Sequence, residues 1–413
     1  MTVRLTEETQ NFPPDHLPAG FRFAAVKAGI KPSGKPDFAC AAAEAASAAA
    51  MFTSNRVVAA PVLVGRQHLV AGEGIVHVLA VNAGNANCAT GEAGILACRT
   101  VCQALAGTFG CTPQQVFPSS TGIIGVPLPA EKLVGAIPAV QQALGATPEH
   151  FLQFADAILT TDTRRKIASV RFDTPAGPVR VAGVAKGAGM IAPQLVPHAT
   201  MLSYIFTDAR IAPALLREML TPAVEATFNC ISIDGDTSTN DTVLLLASGA
   251  SGVSIEGDTA VAQQFAAALE QICGSLARQI VEDGEGAEHI ITLQVTGAKT
   301  LAEARLVAAT VANSPLVKTA FAGCDPNWGR ILAAAGRSGA AVDPAKISVS
   351  IAGLPVCRNG EIAPDFARDP VHAAMQARHV SVAIELGVGS AACTFHTCDL
   401  TAEYIHINAE YST

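Results

Sequence analysis

The fold class is indicated most clearly by residues 75–105, which read IVHVLAVNAGNANCATGEAGILACRTVCQAL. The run from Ile75 to Val81 is rich in β-branched and aliphatic residues and predicts a strand. A tight polar loop follows at 82–87, and from residue 93 the apolar residues recur at helical spacing as far as Leu105. A strand, a loop and a helix in immediate succession are typical of an α/β fold.

The same alternation continues along the 413 residues. Paired strands are predicted at 167–172 and 178–184, and long helices at 211–228 and 259–281. A new series of strands and helices begins after the acidic, glycine-bearing turn at 282–286, and mostly strands are predicted beyond the short helix after residue 329. We therefore predict a main α/β domain of residues 1–284 and a C-terminal α/β domain of residues 285–413.

The composition excludes several classes of protein. The chain has 27 basic and 35 acidic residues and a net charge of −8, which argues against a nucleic-acid binder. No stretch reaches the ~18 apolar residues of a membrane helix, and no basic segment followed by an apolar run opens the sequence. The eleven cysteines form no CxxC pair. We expect a cytoplasmic protein with reduced thiols, no membrane and no nucleic-acid partner.

Half of the residues are apolar but only 5% are aromatic, so alanine-rich helices and Val/Ile-rich strands are expected to form the core.

The sequence contains only weak signatures of cofactor sites. The stretch 387–392 has the spacing G-x-G-x-x-A, but another predicted strand follows where a dinucleotide fold needs a helix. His396 and Cys398 share one face of a predicted strand, and an ordinary strand is the favoured interpretation. No metal and no organic cofactor are expected.

Threonine- and glycine-rich loops recur at 81–90, 119–125, 160–163, 186–190, 199–201 and 229–242. A threonine hydroxyl is a poor nucleophile without a nearby base. Cleavage of the chain before the threonine frees an α-amine with a pKa near ~7.7–8.0, which can act as that base. The glycine-rich, proline-kinked connector before Thr200 is suited to hold the Ala199–Thr200 peptide where the hydroxyl can attack it.

A series of motifs then follows in order along the chain. They are FTSNR at 52–56, VNAGNAN at 81–87, STGIIG at 120–125, TTDT at 160–163, KGAGMIAP at 186–193, ATML at 199–202, DGDTSTND at 234–241, NSPLVKT at 313–319, DPNWGR at 325–330 and NAEYST at 408–413. Through these motifs the chain resembles the ornithine acetyltransferases, the bifunctional glutamate N-acetyltransferase family of arginine biosynthesis.

The resemblance implies an α/β fold in which sheets are sandwiched between helix layers, similar to N-terminal-nucleophile hydrolases, with a further α/β domain at the C-terminus. It also implies self-cleavage between Ala199 and Thr200 into an alpha chain (1–199) and a beta chain (200–413). Thr200 would become the nucleophile, and the Thr121 hydroxyl and the Gly122 backbone N–H would form the oxyanion hole. The substrate-contacting positions implied by the resemblance are Thr160, Lys186, Thr200, Glu285, Asn408 and Thr413.

The resemblance also implies an assembly that contains two copies of each chain.

The sequence departs from the family pattern at two places. Residues 194–198 lengthen the segment before Ala199, which bears on cleavage. Glu288 and His289 stand where the family commonly has threonine and lysine, which bears on substrate preference.

The mechanism implied is a ping-pong transfer of the acetyl group from N-α-acetyl-L-ornithine to L-glutamate through an acetyl ester of Thr200. Both substrates carry an α-carboxylate, and Lys186 is the candidate cation for it. Bifunctional and monofunctional members share these motifs, so acetyl-CoA stays open as a second donor. The alternative is a self-processing N-terminal-threonine amidase or aminopeptidase, which differs only in letting water reach the acyl-enzyme.

Overall fold

The structure, a computed structural model, describes residues 4–7, 12–193, 201–257 and 259–410. The strands are β1 (Arg4–Thr6), β2 (Arg22–Val26), β3 (Phe38–Phe52), β4 (Ile75–Asn85), β5 (Val116–Ile123), β6 (Lys166–Thr174), β7 (Gly177–Lys186), β8 (Leu202–Thr207), β9 (Ile231–Ser232), β10 (Thr242–Ala247), β11 (Ile290–Ala298), β12 (Ser348–Ile351), β13 (Leu354–Arg358), β14 (Glu361–Ile362), β15 (His379–Glu385) and β16 (Ala391–Cys398). The helices are α1 (Ala60–Ala71), α2 (Gly91–Phe109), α3 (Ala130–Ala143), α4 (Pro148–Ala157), α5 (Pro213–Ala226), α6 (Ala260–Glu282), α7 (Leu301–Ala312), α8 (Pro315–Ala322), α9 (Trp328–Gly336), α10 (Arg368–Met375) and α11 (Ala402–Glu410).

Nine strands form one sheet in the order β1-β6-β7-β8-β10-β3-β4-β5, with β2 paired to β3. The long strand β3 changes register against β4 between Ala42 and Ala46, and the sheet folds over at this bulge. Leu79 of β4 and Leu244 of β10 then share one apolar core, and the Tyr204 hydroxyl donates to Ser119 Oγ at 2.7 Å between the two halves.

Helices cover both outer faces of this folded sheet. Helices α5 and α6 pack on the half that contains β6, β7, β8 and β10, and α2 and α3 pack on the half that contains β2, β4 and β5. The order of layers is therefore helix, sheet, sheet, helix. This arrangement confirms the predicted α/β class and the sheets sandwiched between helix layers.

The expectation that alanine-rich segments supply helices is wrong for the longest of them. The alanine-rich run lies within β3, and its side chains alternate between two cores, with Ala39 and Ala41 on one face and Cys40 on the other. Alanine has a high helix propensity, but small side chains also suit a central strand where layers press on both faces. Tertiary packing therefore overrides the local preference.

Seven strands form a second sheet in the order β14-β13-β12-β15-β11-β16-β9, and α7 packs against β11 and β16. The edge strand Ile231–Ser232 comes from before the predicted boundary at residue 284, while the other six follow it. The division into two domains stays a prediction. The expectation of mostly strands at the end of the chain is wrong for α10 and α11, two short helices; α10 buries Val371 and Met375, whereas α11 buries no residue. No helix in the described part of the chain is long and apolar enough to span a membrane.

Candidate functional site

A cavity of about 360 Å³ lies where the two halves of the folded sheet meet. Six residues predicted from the sequence line it together, although up to 287 positions separate them in the chain: Thr121, Gly122, Thr160, Lys186, Glu285 and Asn408. The predicted residues Ala199, Thr200 and Thr413 lie outside the described residues. Met201, which directly follows Thr200 in the sequence, is buried and lines the cavity.

Thr121 lies near the end of β5, on the half of the sheet that also contains β4. The predicted loop from 119 to 125 is wrong for most of its length, because β5 continues to Ile123 in parallel pairing with β4. Thr121 itself is buried, with an exposed fraction of only 9%. Pairing with β4 satisfies the backbone hydrogen-bonding groups of these residues. Because threonine also favours strands, the threonine-rich segment continues β5 instead of forming a loop.

Gly122 has a backbone conformation that a side chain would not allow. Its φ is +132°, and a Cβ at this position would lie 2.3 Å from the carbonyl carbon of Gly84 on the neighbouring strand. Contact at that distance with backbone atoms forces the strands apart. The glycine therefore lets β4 and β5 approach closely beside the cavity.

Lys186 ends β7 on the opposite half of the sheet and brings a cation into the cavity. Its ammonium group donates hydrogen bonds to Thr121 Oγ1 at 3.0 Å and to Thr160 Oγ1 at 2.8 Å. Burial lowers the pKa of Lys186, while the carboxylates of Asp162 and Glu285 act in the opposite direction. Both hydroxyls accept from the lysine, so each keeps its own proton to donate elsewhere.

A buried ionic network lies next to Lys186. The site residues predicted from the sequence do not include its members. The ammonium of Lys166 lies 2.6 Å from carboxylate oxygens of both Asp162 and Asp283. Asp162 also accepts from the backbone N–H of Gly187 at 2.6 Å. Burial by itself would raise the pKa of Asp162, but Lys166 and Lys186 outweigh it and hold that pKa below its usual range. Asp162 stands in the predicted loop 160–163, but sequence spacing does not indicate its partner Asp283.

The opposite wall of the cavity comes from two later segments. Glu285 follows α6, and its Oε2 accepts from the Asn408 side-chain amide at 3.0 Å. Gly189 faces this carboxylate so closely that a Cβ there would lie 2.4 Å from Glu285 Oε2. A carboxylate beside an amide, across from a lysine, makes a cavity that can receive both ends of an amino acid.

Asn240 joins the loop before β10 to the other half of the sheet. Its side-chain amide donates to the carbonyl oxygens of Ala86 at 2.6 Å and of Ser120 at 2.9 Å, immediately before Thr121. Ser120 in turn donates to Asn82 Oδ1 at 2.6 Å. The motifs 81–87, 120–125 and 234–241 therefore meet in one hydrogen-bonded cluster. Asn240 belongs to a motif seen in the sequence, but its bridging position depends on the folding of the sheet.

The arrangement offers donors for a developing negative charge. The Thr121 hydroxyl is polarised by the Lys186 ammonium, and the buried setting strengthens both interactions. Such a site suits acyl transfer, in which a carbonyl oxygen becomes an oxyanion. The nucleophile predicted at Thr200 and the predicted substrate contact Thr413 lie outside the described residues.

Comparisons with known proteins show the family of this chain. The family model described as "ArgJ family" matches residues 22–413. The protein named "Arginine biosynthesis bifunctional protein ArgJ" from Ruegeria pomeroyi is 42% identical over 95% of this chain and 94% of its own length. The protein of the same name from Thermus thermophilus is 44% identical over 96% of this chain and 99% of its own length.

A solved structure of "Arginine biosynthesis bifunctional protein argJ" from Bacillus halodurans is 38% identical and has a TM-score of 0.48, covering 49% of this chain and 96% of that one. The family match spans all six cavity residues described above and almost the whole sequence. Relatives above 40% identity cover nearly the full length on both sides. This chain therefore belongs to the ArgJ family.

Proposed function

We propose that this chain is an acetyltransferase of arginine biosynthesis that moves the acetyl group of N-α-acetyl-L-ornithine to L-glutamate. Membership of the ArgJ family and the names of the relatives support the pathway. The observation that carries the reaction type is the convergence of Thr121, Gly122, Lys186 and Glu285 on one cavity beside Met201. Thr200 directly precedes Met201 in the sequence, which supports its choice as the proposed nucleophile.

The reaction has two halves. The Thr200 hydroxyl attacks the acetyl carbonyl while its own α-amine takes the proton, and the oxyanion receives hydrogen bonds from the Thr121 hydroxyl and the Gly122 N–H. The C–N bond then breaks, the proton passes to the ornithine amine, and an acetyl ester of Thr200 remains. In the second half the amine of glutamate attacks the ester, and Thr200 leaves with its hydroxyl restored.

The charges of the cavity support this pair of substrates. Lys186 attracts the α-carboxylate that both substrates carry, while Glu285 attracts the side-chain ammonium of ornithine. Thr160 holds the ammonium of Lys186 in place at 2.8 Å. Asn408 positions Glu285, and Thr413 stays a prediction. No part of the transfer requires a metal or an organic cofactor.

Self-cleavage before Thr200 is part of the same proposal, because it frees the α-amine that serves as the base. The lengthened segment 194–198 stands directly before the bond to be cut. The assembly of two alpha and two beta chains and the cytoplasmic location also stay predictions.

The direct test is a product assay with purified protein. With acetyl-ornithine and glutamate we expect N-acetylglutamate and ornithine in equal amounts. A parallel assay with acetyl-CoA and glutamate decides whether the chain also accepts the second donor. A third reaction with acetyl-ornithine in the absence of glutamate measures the release of acetate.

Transfer to glutamate that is much faster than acetate release supports the proposal. Acetate release that glutamate does not slow, with little N-acetylglutamate, would make the chain a hydrolase and favour the amidase alternative. Omission of glutamate is the matched control, since every other component stays the same.

A further inference from the structure

Three side chains from separate segments meet outside the catalytic cavity. Cys324 follows α8, His289 precedes β11 and Asp399 follows β16. The Nδ1 atom of His289 lies 2.8 Å from Asp399 Oδ2, and its Nε2 atom lies 3.7 Å from Cys324 Sγ. His289 and Asp399 are buried, whereas Cys324 is partly exposed. None of the three lines the cavity, and the proposed acetyl transfer does not use them.

The hydrogen bonds determine how His289 presents its ring. Asp399 Oδ1 accepts from the backbone N–H of Glu288 at 3.0 Å, and its Oδ2 faces His289 Nδ1. Because an ionised carboxylate only accepts, Nδ1 carries the proton and Nε2 keeps its lone pair toward the thiol. A carboxylate behind one ring nitrogen is the usual way in which a metal-binding imidazole is oriented.

The separation of sulfur and nitrogen matches one edge of a tetrahedral metal site. Zinc lies about 2.3 Å from a thiolate and about 2.0–2.1 Å from an imidazole nitrogen, so the two donors of a tetrahedral site lie roughly 3.6 Å apart. The observed separation of Cys324 Sγ and His289 Nε2 is 3.7 Å. The two side chains could therefore bind a metal with little movement.

Carboxylates add oxygen donors and negative charge. A carboxylate oxygen of Glu288, a ring nitrogen of His289 and a carboxylate oxygen of Asp399 all lie within 4.8 Å of one another. Cys324 is not a member of this group, so the Glu288 carboxylate has to turn to reach a cation held by Cys324 Sγ and His289 Nε2. The Glu288 side chain is exposed, so it has room to turn toward a cation. A thiol, an imidazole and carboxylates are the donor set that zinc prefers, whereas magnesium and calcium prefer oxygen alone.

We propose that Cys324, His289 and Glu288 bind a thiophilic divalent cation of the Zn²⁺ type, with Asp399 orienting the imidazole. On binding, the Cys324 thiol releases its proton to solvent, and the sulfur, His289 Nε2, a Glu288 oxygen and one water become the four ligands. The cation fastens the segment after α8 to the start of β11. This role is structural and independent of the acetyl transfer.

The test uses the full, chelator-treated protein with Co²⁺ as a spectroscopic substitute for Zn²⁺. A bound thiolate gives a sulfur-to-cobalt charge-transfer band, and tetrahedral cobalt gives intense visible bands. We expect these bands to saturate at one equivalent of Co²⁺ and to disappear when Zn²⁺ displaces it. We also expect Zn²⁺ to raise the temperature of thermal unfolding, because it binds the folded chain more tightly.

Cys324→Ser should abolish the charge-transfer band, and His289→Gln should weaken cobalt binding by at least about tenfold. Cys111→Ser is the matched control, since Cys111 is the other partly exposed cysteine, and it should leave the band unchanged. Circular dichroism checks that each variant is folded. Absence of the band in the wild-type chain, or a band that survives Cys324→Ser, would overturn the proposal without touching the proposed acetyl transfer.

Discussion

Thr200→Ala is expected to give a single uncut chain that transfers almost no acetyl group. The substitution removes the hydroxyl that both cuts the precursor and carries the acetyl ester, so turnover should fall by roughly 10⁴–10⁶-fold, as in other enzymes that lose their nucleophile. The wild-type chain should instead separate on a denaturing gel into residues 1–199 and 200–413. N-terminal sequencing of the second fragment should begin Thr-Met-Leu.

Thr200→Ser is the matched control, because it keeps a hydroxyl at the same position and should retain part of both reactions. If Thr200→Ala were still cleaved at the same bond, the Thr200 hydroxyl would not be the group that cuts the chain. Full acetyl transfer by uncut Thr200→Ala would remove it as the nucleophile.

Thr121→Ala is expected to lower kcat by about 10²–10³-fold, the usual effect of losing one oxyanion donor. The substitution also removes one of the hydroxyls that accept from the buried Lys186 ammonium, which should cost about 1–2 kcal/mol of stability. Thr121→Ser keeps the hydroxyl and should recover much of both losses. The measurement is kcat with saturating acetyl-ornithine and glutamate, together with thermal unfolding.

The comparison must use fully processed protein, so that slow cleavage is not mistaken for slow transfer. Equal kcat values for the wild type and Thr121→Ala would take Thr121 out of the oxyanion hole and leave the backbone N–H of Gly122 as the proposed donor. A loss of stability without a loss of kcat would assign Thr121 a purely structural role beside Lys186.

The order of strands and helices could be predicted largely from sequence periodicity, because most elements are long enough to show it. The predicted helix at 259–281 corresponds to α6, and the predicted pair at 167–172 and 178–184 corresponds to β6 and β7. Periodicity fails where packing overrides local preference. The alanine-rich strand β3 and the threonine-rich end of β5 are both buried between layers. The local sequence pattern does not indicate this burial.

The motifs of the site could be found in the sequence, but the fact that they lie close together in the fold could not be predicted from it. Thr121 and Lys186 come together because β3 bends and stacks one half of the sheet on the other. The network of Asp162, Lys166 and Asp283 depends instead on the packing of α6 against β6 and on the position at which α6 ends. His289 and Asp399 face each other because β11 and β16 pair in antiparallel register, although 110 positions separate them.

The central claim is that an acetyl group passes through Thr200. The most direct measurement is mass spectrometry of processed protein that is mixed briefly with acetyl-ornithine, without glutamate, and quenched in acid. We expect that the beta chain gains the mass of one acetyl group, that fragmentation places it on Thr200, and that added glutamate removes it as N-acetylglutamate. An unmodified Thr200 in protein that is turning over, or an acetyl group that glutamate cannot remove, would contradict the account.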